Sequence, residues 1–493
     1  MIRSFVSRGD NNKIQALLRS DILFFMANES DRRNSMKRSD KGTISRRTFL
    51  AAVPAVASVP WLRAGGGGGA FALNGGEALA LNGGKAVRST TSTTQCPGTQ
   101  FYDGQELNEA SEAVASRSLF RWYGPGKPQK VEKFEEEFAK FLDSKYVLGV
   151  TSGTGALHCA LTALNVGPGD EVILPAWSWY SSYNAILLTG ALPVFSEVDE
   201  SFIMDPEDLE KRITPQTKVI MVVHLFGAPA NMDGIMAVAR KHNLRVLEDS
   251  AQCAGGQYKG KRTGAIADIG IFSFQIHKLM TAGEGGAVVT NDPLLYERAV
   301  RFHDLGLLRP PTKAQLGSAA MSGFVGTNYR MNEMTGGVLR AQLRKMETML
   351  AAQRRNSRYV KDRIKDLPGI KMRTSNDPTG DIGITVDLLL PDKAARDQFV
   401  KAMGAENVPM AAPSAAVILP VAPYIENKVT PHAEWPTFKT PRGQAIRYGR
   451  ECCPRTADIF DRDATLTIGP KYSDDDLNDI VAAITKVHRA LAS

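Results

Sequence analysis

The chain has 493 residues, 43% hydrophobic and 23% charged, which is the balance of a folded protein with two or three domains and excludes a collagen-like or largely disordered chain. Its formal charge of +8 sits almost wholly in residues 1–63, where twelve Lys or Arg face five Asp or Glu, so the remaining body carries no basic footprint for nucleic acid. The five cysteines, Cys96, Cys159, Cys253, Cys452 and Cys453, form neither a metal-binding Cys-x-x-Cys pattern nor a disulfide framework.

In chain order, residues 1–70 read as a leader. Arg46-Arg47 precede a short apolar run that ends at Arg63 and is broken by Pro54 and Pro60. A membrane span needs roughly 20 apolar residues, so no stable span is expected here. The paired arginines, the apolar run and the small residues near Ala70-Phe71-Ala72 have the make-up of a twin-arginine-type export signal. The expected location is therefore the periplasm or cell envelope, or the cytoplasm if the leader is unused. The five glycines at 65–69 are a linker, because no Lys-Ser/Thr follows them as in a phosphate loop.

Regular alternation begins after residue 130. Phe134, Phe138 and Phe141 recur at helical spacing and predict an amphipathic helix over 131–144. Strands are predicted at 146–150, 171–175, 192–199, 219–227, 244–250, 268–274 and 285–290, with helices of about ten residues between several of them. Short apolar strands separated by helices imply an α/β domain with a mostly parallel sheet covered on both faces. Residues 334–367 read as one long helix kinked at Gly336-Gly337. A last helix at 473–491 is capped by Ser473, with three acids in its first turn. The expected division is a large domain over 71–335 and a smaller C-terminal α+β domain over 336–493.

Ligands of open parallel sheets bind at the carboxyl ends of strands. Four such ends carry chemistry. Thr151-Ser152-Gly153-Thr154-Gly155 opens a helix with free backbone N–H groups, which suits a phosphate or an ordinary helix cap. Trp177-Ser178-Trp179-Tyr180 offers flat rings for stacking or for the core. Asp249 ends an apolar strand, where a carboxylate is costly unless paired, with a cap or a protonated heterocyclic nitrogen as its two explanations. Lys278 follows the next strand, five residues after Ser273 and just before Gly283-Glu284-Gly285-Gly286. A phosphate cradle, a stacking ring, an acid for a ring nitrogen and an amine for an aldehyde together fit pyridoxal 5'-phosphate. A nicotinamide enzyme is disfavoured, since no Gly-x-Gly-x-x-Gly follows a strand.

With these residues in hand, the sequence resembles the DegT/DnrJ/EryC1/StrS family of sugar aminotransferases, which are fold-type I pyridoxal phosphate enzymes. The stretches SGTGALHCAL, EDSAQ, FSFQIHKLMTAGEGG and NYRMNEM carry the resemblance. It implies that Lys278 forms the Schiff base, that Asp249 pairs with the pyridine nitrogen, that Gln252 lies near the ring hydroxyl and that Trp179 stacks on the ring. It places Ser152, Gly153, Thr154 and Ser273 around the phosphate. Asn328 would reach the phosphate of a neighbouring subunit, which implies a homodimer with shared sites. The implied reaction moves an amino group from glutamate or glutamine to a keto-sugar or keto-cyclitol. Sugar dehydration and a non-catalytic exported sugar-binding role are the alternatives. Relatives that act as dehydratases replace the lysine with histidine; here His277 is adjacent and Lys278 keeps the lysine position. His158, Tyr180, His303, His432 and Trp435 are candidates for the acceptor pocket.

Overall fold

The computed structural model describes residues 78–91, 96–126, 129–309, 316, 323–414 and 417–492. The expected export signal and the glycine linker lie outside these residues. Among the described residues no helix is long and apolar enough to cross a membrane.

The main sheet has seven strands. They are β1 (Tyr146–Val150), β2 (Glu171–Pro175), β3 (Leu192–Ser196), β4 (Thr217–Val223), β5 (Arg245–Asp249), β8 (Ile269–Ser273) and β9 (Gly286–Thr290); the two-residue strands β6 (Gln257–Tyr258) and β7 (Lys261–Arg262) form a separate ribbon. The order across the sheet is β1-β9-β8-β5-β4-β2-β3. The pairs β2–β3, β2–β4, β4–β5 and β5–β8 are parallel, and β9 runs antiparallel to both β8 and β1. A strand buried on both faces needs an unbroken apolar run, and β2, β3, β8 and β9 are buried at every position.

The helices follow from their apolar stripes and caps. Helix α1 (Gly104–Ala115) opens with a capping box, Asp103 and Glu106 each taking the other's end of the first turn. It is polar enough to have escaped the sequence pattern. Its stability comes from outside: Glu109 pairs with Lys130, Arg340 and Arg344, and Glu106 with Lys345. Helix α2 (Lys130–Leu142) buries Phe134 and Phe138, whose rings stack 5.4 Å apart. Its Phe141 stays half-buried beneath the Arg262 guanidinium. Helices α3 (Gly153–Ala163), α4 (Tyr180–Leu188), α5 (Pro206–Lys211), α6 (Met232–Lys241) and α7 (Pro293–His303) make the crossovers and cover the sheet.

The single long helix expected over 334–367 is two helices, α8 (Glu333–Arg344) and α9 (Met346–Ile364), and the break is at Lys345 rather than at the glycine pair. Lys345 leaves helical register with its ammonium held by the Phe101 carbonyl and by Glu106. Gly336 and Gly337 lie inside α8 for a different reason. A Cβ on Gly336 would stand 2.7 Å from the Val131 backbone, and one on Gly337 would stand 3.1 Å from the Glu109 carbonyl. The glycines let α8 approach α1 and α2 closely.

A second sheet, β10 (Lys371–Met372), β11 (Thr385–Leu389) and β12 (Asp463–Thr467), is antiparallel. It packs against α9, α10 (Lys393–Ala405), α11 (Pro454–Arg462) and α12 (Asp474–Ala492) around Val360, Phe399, Leu466 and Ile484. The cap on α12 is as expected: Ser473 Oγ accepts from the Asp476 N–H, and Asp476 accepts in return from the Ser473 N–H.

Candidate active site

The parallel register of β5 against β4 and β8 brings three strand ends together. Asp249 is the last residue of β5, paired in register with Val223 of β4 and Ile271 of β8. The chain beyond β8 turns at Lys278, and the chain beyond β2 turns at Trp179 into α4.

Asp249 is buried and satisfied on both oxygens: Oδ1 accepts from the Ala251 N–H (3.1 Å) and Oδ2 from the Ser182 hydroxyl (3.0 Å). Burial nevertheless raises its carboxyl above the usual range, because two hydrogen bonds and the charge of Lys278 do not fully replace water. Lys278 is partly buried, and its amine has no hydrogen-bond or ion-pair partner among the described residues. Desolvation lowers it below the usual lysine value, against the pull of Asp249. The two groups thus lie in each other's field, and loss of water biases each toward its neutral form. A lysine displaced into solvent would show neither effect.

The Ser152–Thr154 turn is both a cap and a cradle. Ser152 Oγ accepts from the Gly155 N–H (3.0 Å) as the N-cap of α3, and the Thr154 hydroxyl donates to Ser181 Oγ (2.9 Å). The N–H groups of Gly153 and Thr154 have no acceptor among the described residues and point from the helix N-terminus. The turn is too tight for side chains. A Cβ on Gly153 would meet Ser273 Cβ at 2.7 Å, and one on Gly286 would meet the Ser152 carbonyl at 2.3 Å. Ser273 is therefore held directly against the free N–H groups. This arrangement suits a phosphate, and Lys278 and Asp249 lie in each other's field, so the residues present fit pyridoxal 5'-phosphate.

Gln252 is oriented by a strained turn. Phe226, at φ 53° and ψ 34°, donates its N–H to Gln252 Oε1 (3.1 Å). A backbone N–H can only donate, so the Gln252 amide nitrogen is left as a donor. Trp179 is 48% exposed at the start of α4, its ring tilted over Tyr180 at 4.3 Å. Trp177, two residues earlier, is instead core, stacked on Phe202. Asn328 is exposed, in the segment whose neighbour Tyr329 accepts from the Thr151 N–H.

Of the candidates for an acceptor pocket, His303 is fully buried against the Val300 carbonyl and Trp122. His158 bonds Tyr329 (3.1 Å). Trp435 donates to the Leu187 carbonyl, and His432 accepts from the Glu434 N–H. These four hold local structure. Tyr180 alone stays beside the site, against Trp179.

Three residues escaped the sequence reading. Ser178 and Ser182, one helical turn apart, hydrogen-bond each other (3.0 Å), and Ser182 passes the bond on to Asp249. His224 follows β4 and its Nδ1 accepts from the Ala230 N–H, which places the ring proton on Nε2, facing Glu248 (3.0 Å). Glu248 accepts three backbone N–H groups besides, from Gly264, Ile266 and Ala267. The strand-end rule that found Asp249 would have found His224, and the i, i+4 spacing would have found the serines.

Residues 103–485 match the DegT/DnrJ/EryC1/StrS aminotransferase family. The chain belongs to that family. It is similar to "GDP-perosamine synthase" of Escherichia coli O157:H7, 40% identical over 265 residues that make up 54% of this chain and 70% of the relative. It is also similar to "L-glutamine:2-deoxy-scyllo-inosose aminotransferase" of Streptomyces lividus, 32% identical over 77% of this chain and 92% of the relative. Among solved structures, an aminotransferase from Psychrobacter cryohalolentis superposes with a TM-score of 0.68 at 30% identity, covering 80% of this chain and 98% of the other. The protein is thus a pyridoxal 5'-phosphate-dependent aminotransferase, of EC 2.6.1 type, with the fold-type I architecture expected of the family.

Proposed function

We propose that this aminotransferase takes an amino group from glutamate or glutamine and delivers it to a keto-sugar or keto-cyclitol, with Lys278 and Asp249 as its catalytic pair. The reading is carried by one observation: an amine without a hydrogen-bond partner among the described residues, lowered by desolvation, in the field of a buried and hydrogen-bonded carboxylate. Relatives named for a sugar product and for a cyclitol acceptor support the acceptor class.

Bound pyridoxal phosphate supplies an electron sink and a carbon that carries the amino group between the two half-reactions. The chain's own residues do the rest. Gly153, Thr154 and Ser273, beside the Ser152 cap, bind the phosphate with backbone N–H groups and a hydroxyl. Asp249, fixed by Ser182 and Ala251, presents its carboxylate to the ring nitrogen. Gln252 offers its amide N–H to the ring oxygen, and Trp179 covers the ring. Lys278 Nζ, lowered from the usual lysine range by desolvation against the pull of Asp249, is the base that would take the proton from the donor's Cα. No observation favours dehydration or a non-catalytic role.

The homodimer is part of the same proposal. Trp179, Ile276, Leu305 and Met334 leave apolar surface exposed, and Val325 is 91% exposed three residues before Asn328. A partner covering these residues would bring Asn328 to the other subunit's phosphate. We also propose that residues 1–70 direct export and that 71–335 and 336–493 are the large and small domains.

The test is a screen of nucleotide-linked keto-sugars and keto-cyclitols with glutamate or glutamine, reading 2-oxo acid and amino product together. Amino product from at least one acceptor is expected. Donor deamination without any aminated acceptor across the screen would refute the acceptor class. Light scattering of the purified protein reads the dimer, and N-terminal sequencing of the envelope fraction reads the export.

A further inference from the structure

The turn 224–230 follows β4 and carries Phe226, whose N–H holds Gln252 Oε1 (3.1 Å). The turn bends sharply, with Phe226 at φ 53° and Gly227 at φ 83°, both left-handed. For an aromatic residue that conformation costs about 1–3 kcal/mol and persists only where the surroundings over-determine it. From outside, the turn is anchored by its carbonyls: Leu225 accepts from Arg373 (3.3 Å), and Gly227 accepts from Cys253 Sγ (3.2 Å) and from the Ile382 N–H (3.0 Å). From inside, one side chain closes it.

That side chain is His224, which is fully buried and donates its backbone N–H to the Asp249 carbonyl (3.0 Å). Ring Nδ1 accepts the Ala230 N–H from the far end of the turn (3.0 Å), and Nε2 donates to Glu248 Oε2 (3.0 Å). Glu248 is an immobile anchor. It is fully buried, its Oε1 accepts from Ile266 and Ala267, and its Oε2 accepts from Gly264 beside the imidazole. Any buried imidazole bonds its nitrogens, so the existence of these two bonds reflects burial alone. Their targets carry the information. One closes the turn that aims at Gln252, and the other lies on the residue next to Asp249.

We propose that His224 is a positioning residue for the cofactor's ring oxygen. By closing the turn 224–230 onto β5 it aims the Phe226 N–H at Gln252 Oε1, and so leaves the Gln252 amide N–H free for that oxygen. The inference rests on the role proposed for Gln252. A donor on the ring oxygen draws off negative charge that otherwise helps to hold a proton on the nitrogen shared with Lys278. Loss of that donor therefore raises the pH at which the bound cofactor gives up this proton.

Absorbance titration of the cofactor-loaded full chain reads that pH without reading turnover. Two substitutions divide the ring between its bonds. His224→Asn keeps an oxygen where Nδ1 accepts from Ala230 and gives up Glu248; His224→Gln keeps a donor for Glu248 and opens the turn. His224→Gln and Gln252→Leu are each expected to raise the midpoint by about 1 unit, roughly the loss of one hydrogen bond to a charged oxygen, while His224→Asn stays within about 0.3 unit of the parent. Amide exchange over 225–230 should rise in His224→Gln and not in Gln252→Leu. A midpoint moved by Gln252→Leu but not by His224→Gln overturns the role of His224. A midpoint unmoved by Gln252→Leu overturns the Gln252 reading, and this inference with it. Equal shifts in His224→Asn and His224→Gln would make the histidine a general support of the core and overturn the closure of the turn. In the unsubstituted protein the Ala230 amide should be protected from exchange; free exchange there overturns the closure without any variant.

Discussion

At the scale of single residues, the site is a compromise between charge and burial. Lys278 and Asp249 are each pushed toward neutrality by loss of water, and each is pulled back by the other's charge. Their chemistry is therefore not interchangeable with that of similar side chains. Lys278→Ala and Lys278→Arg are both expected to lose transamination by about 1,000-fold or more, and both should lose the borohydride-trappable bond to the cofactor, read by intact mass. Retained turnover in either variant would sink the assignment. Asp249→Asn should lower kcat by roughly 100-fold, with a smaller change in KM, because the charge opposite the ring nitrogen matters most when electrons move into the ring. Ser182→Ala removes one bond to a charged acceptor, worth about 1.5–3 kcal/mol, and should cost roughly 10- to 100-fold in kcat/KM. An unchanged rate would mean that the serine only fills space.

At the scale of elements, glycines decide how closely backbones approach, and their effects on stability differ in sign. Glycine inside a helix normally costs roughly 0.5–1 kcal/mol relative to alanine. Gly404, in α10, has open space where a Cβ would stand, so Gly404→Ala should stabilise by up to about 1 kcal/mol. Gly336, in α8, would place its Cβ 2.7 Å from the Val131 backbone. Gly336→Ala should therefore destabilise by about 1–3 kcal/mol, despite better helix propensity. Urea denaturation of the two variants side by side reads the contrast; two shifts of the same sign would contradict it. The broken helix belongs to this scale as well. Periodicity runs on from 334 to 364 without a gap, and the fold breaks it at Lys345, whose ammonium is held by Glu106 and the Phe101 carbonyl.

At the scale of the whole molecule, buried imidazoles make the fold sensitive to acid. His303 is packed in the core, where burial lowers it to about 3. The unfolded chain, with an ordinary histidine near 6.5, binds a proton that the folded chain refuses between those values. Its contribution to stability is thus complete above pH 6.5 and declines as pH falls toward 3, at most by about 1.4 kcal/mol per pH unit. His158, lowered to about 4 by burial, acts in the same direction. Thermal unfolding between pH 7 and 4 should show a falling midpoint, and His303→Gln should flatten that slope while lowering the starting value. A slope identical to that of the parent would place the acid sensitivity elsewhere.

Much of this protein was fixed before it folded. Apolar runs of strand length separated by amphipathic helices could bury themselves only in a covered, mostly parallel sheet, and the residues after β1, β2, β5 and β8 advertised phosphate, ring, acid and amine chemistry by type and spacing alone. Periodicity is local, so a sequence can state it. What the sequence could not state was which groups meet across the chain. That Ser182 bonds Asp249 from 67 residues away, that Phe226 turns Gln252, and that His303 is core rather than pocket depend on strand order and register. The polar helix α1 was hidden for the same reason, since its support lies in ion pairs with α8 and Lys130 and not in its own pattern. Burial and partnership are properties of the assembled fold, and they alone decided how far each of these groups departs from its behaviour in water.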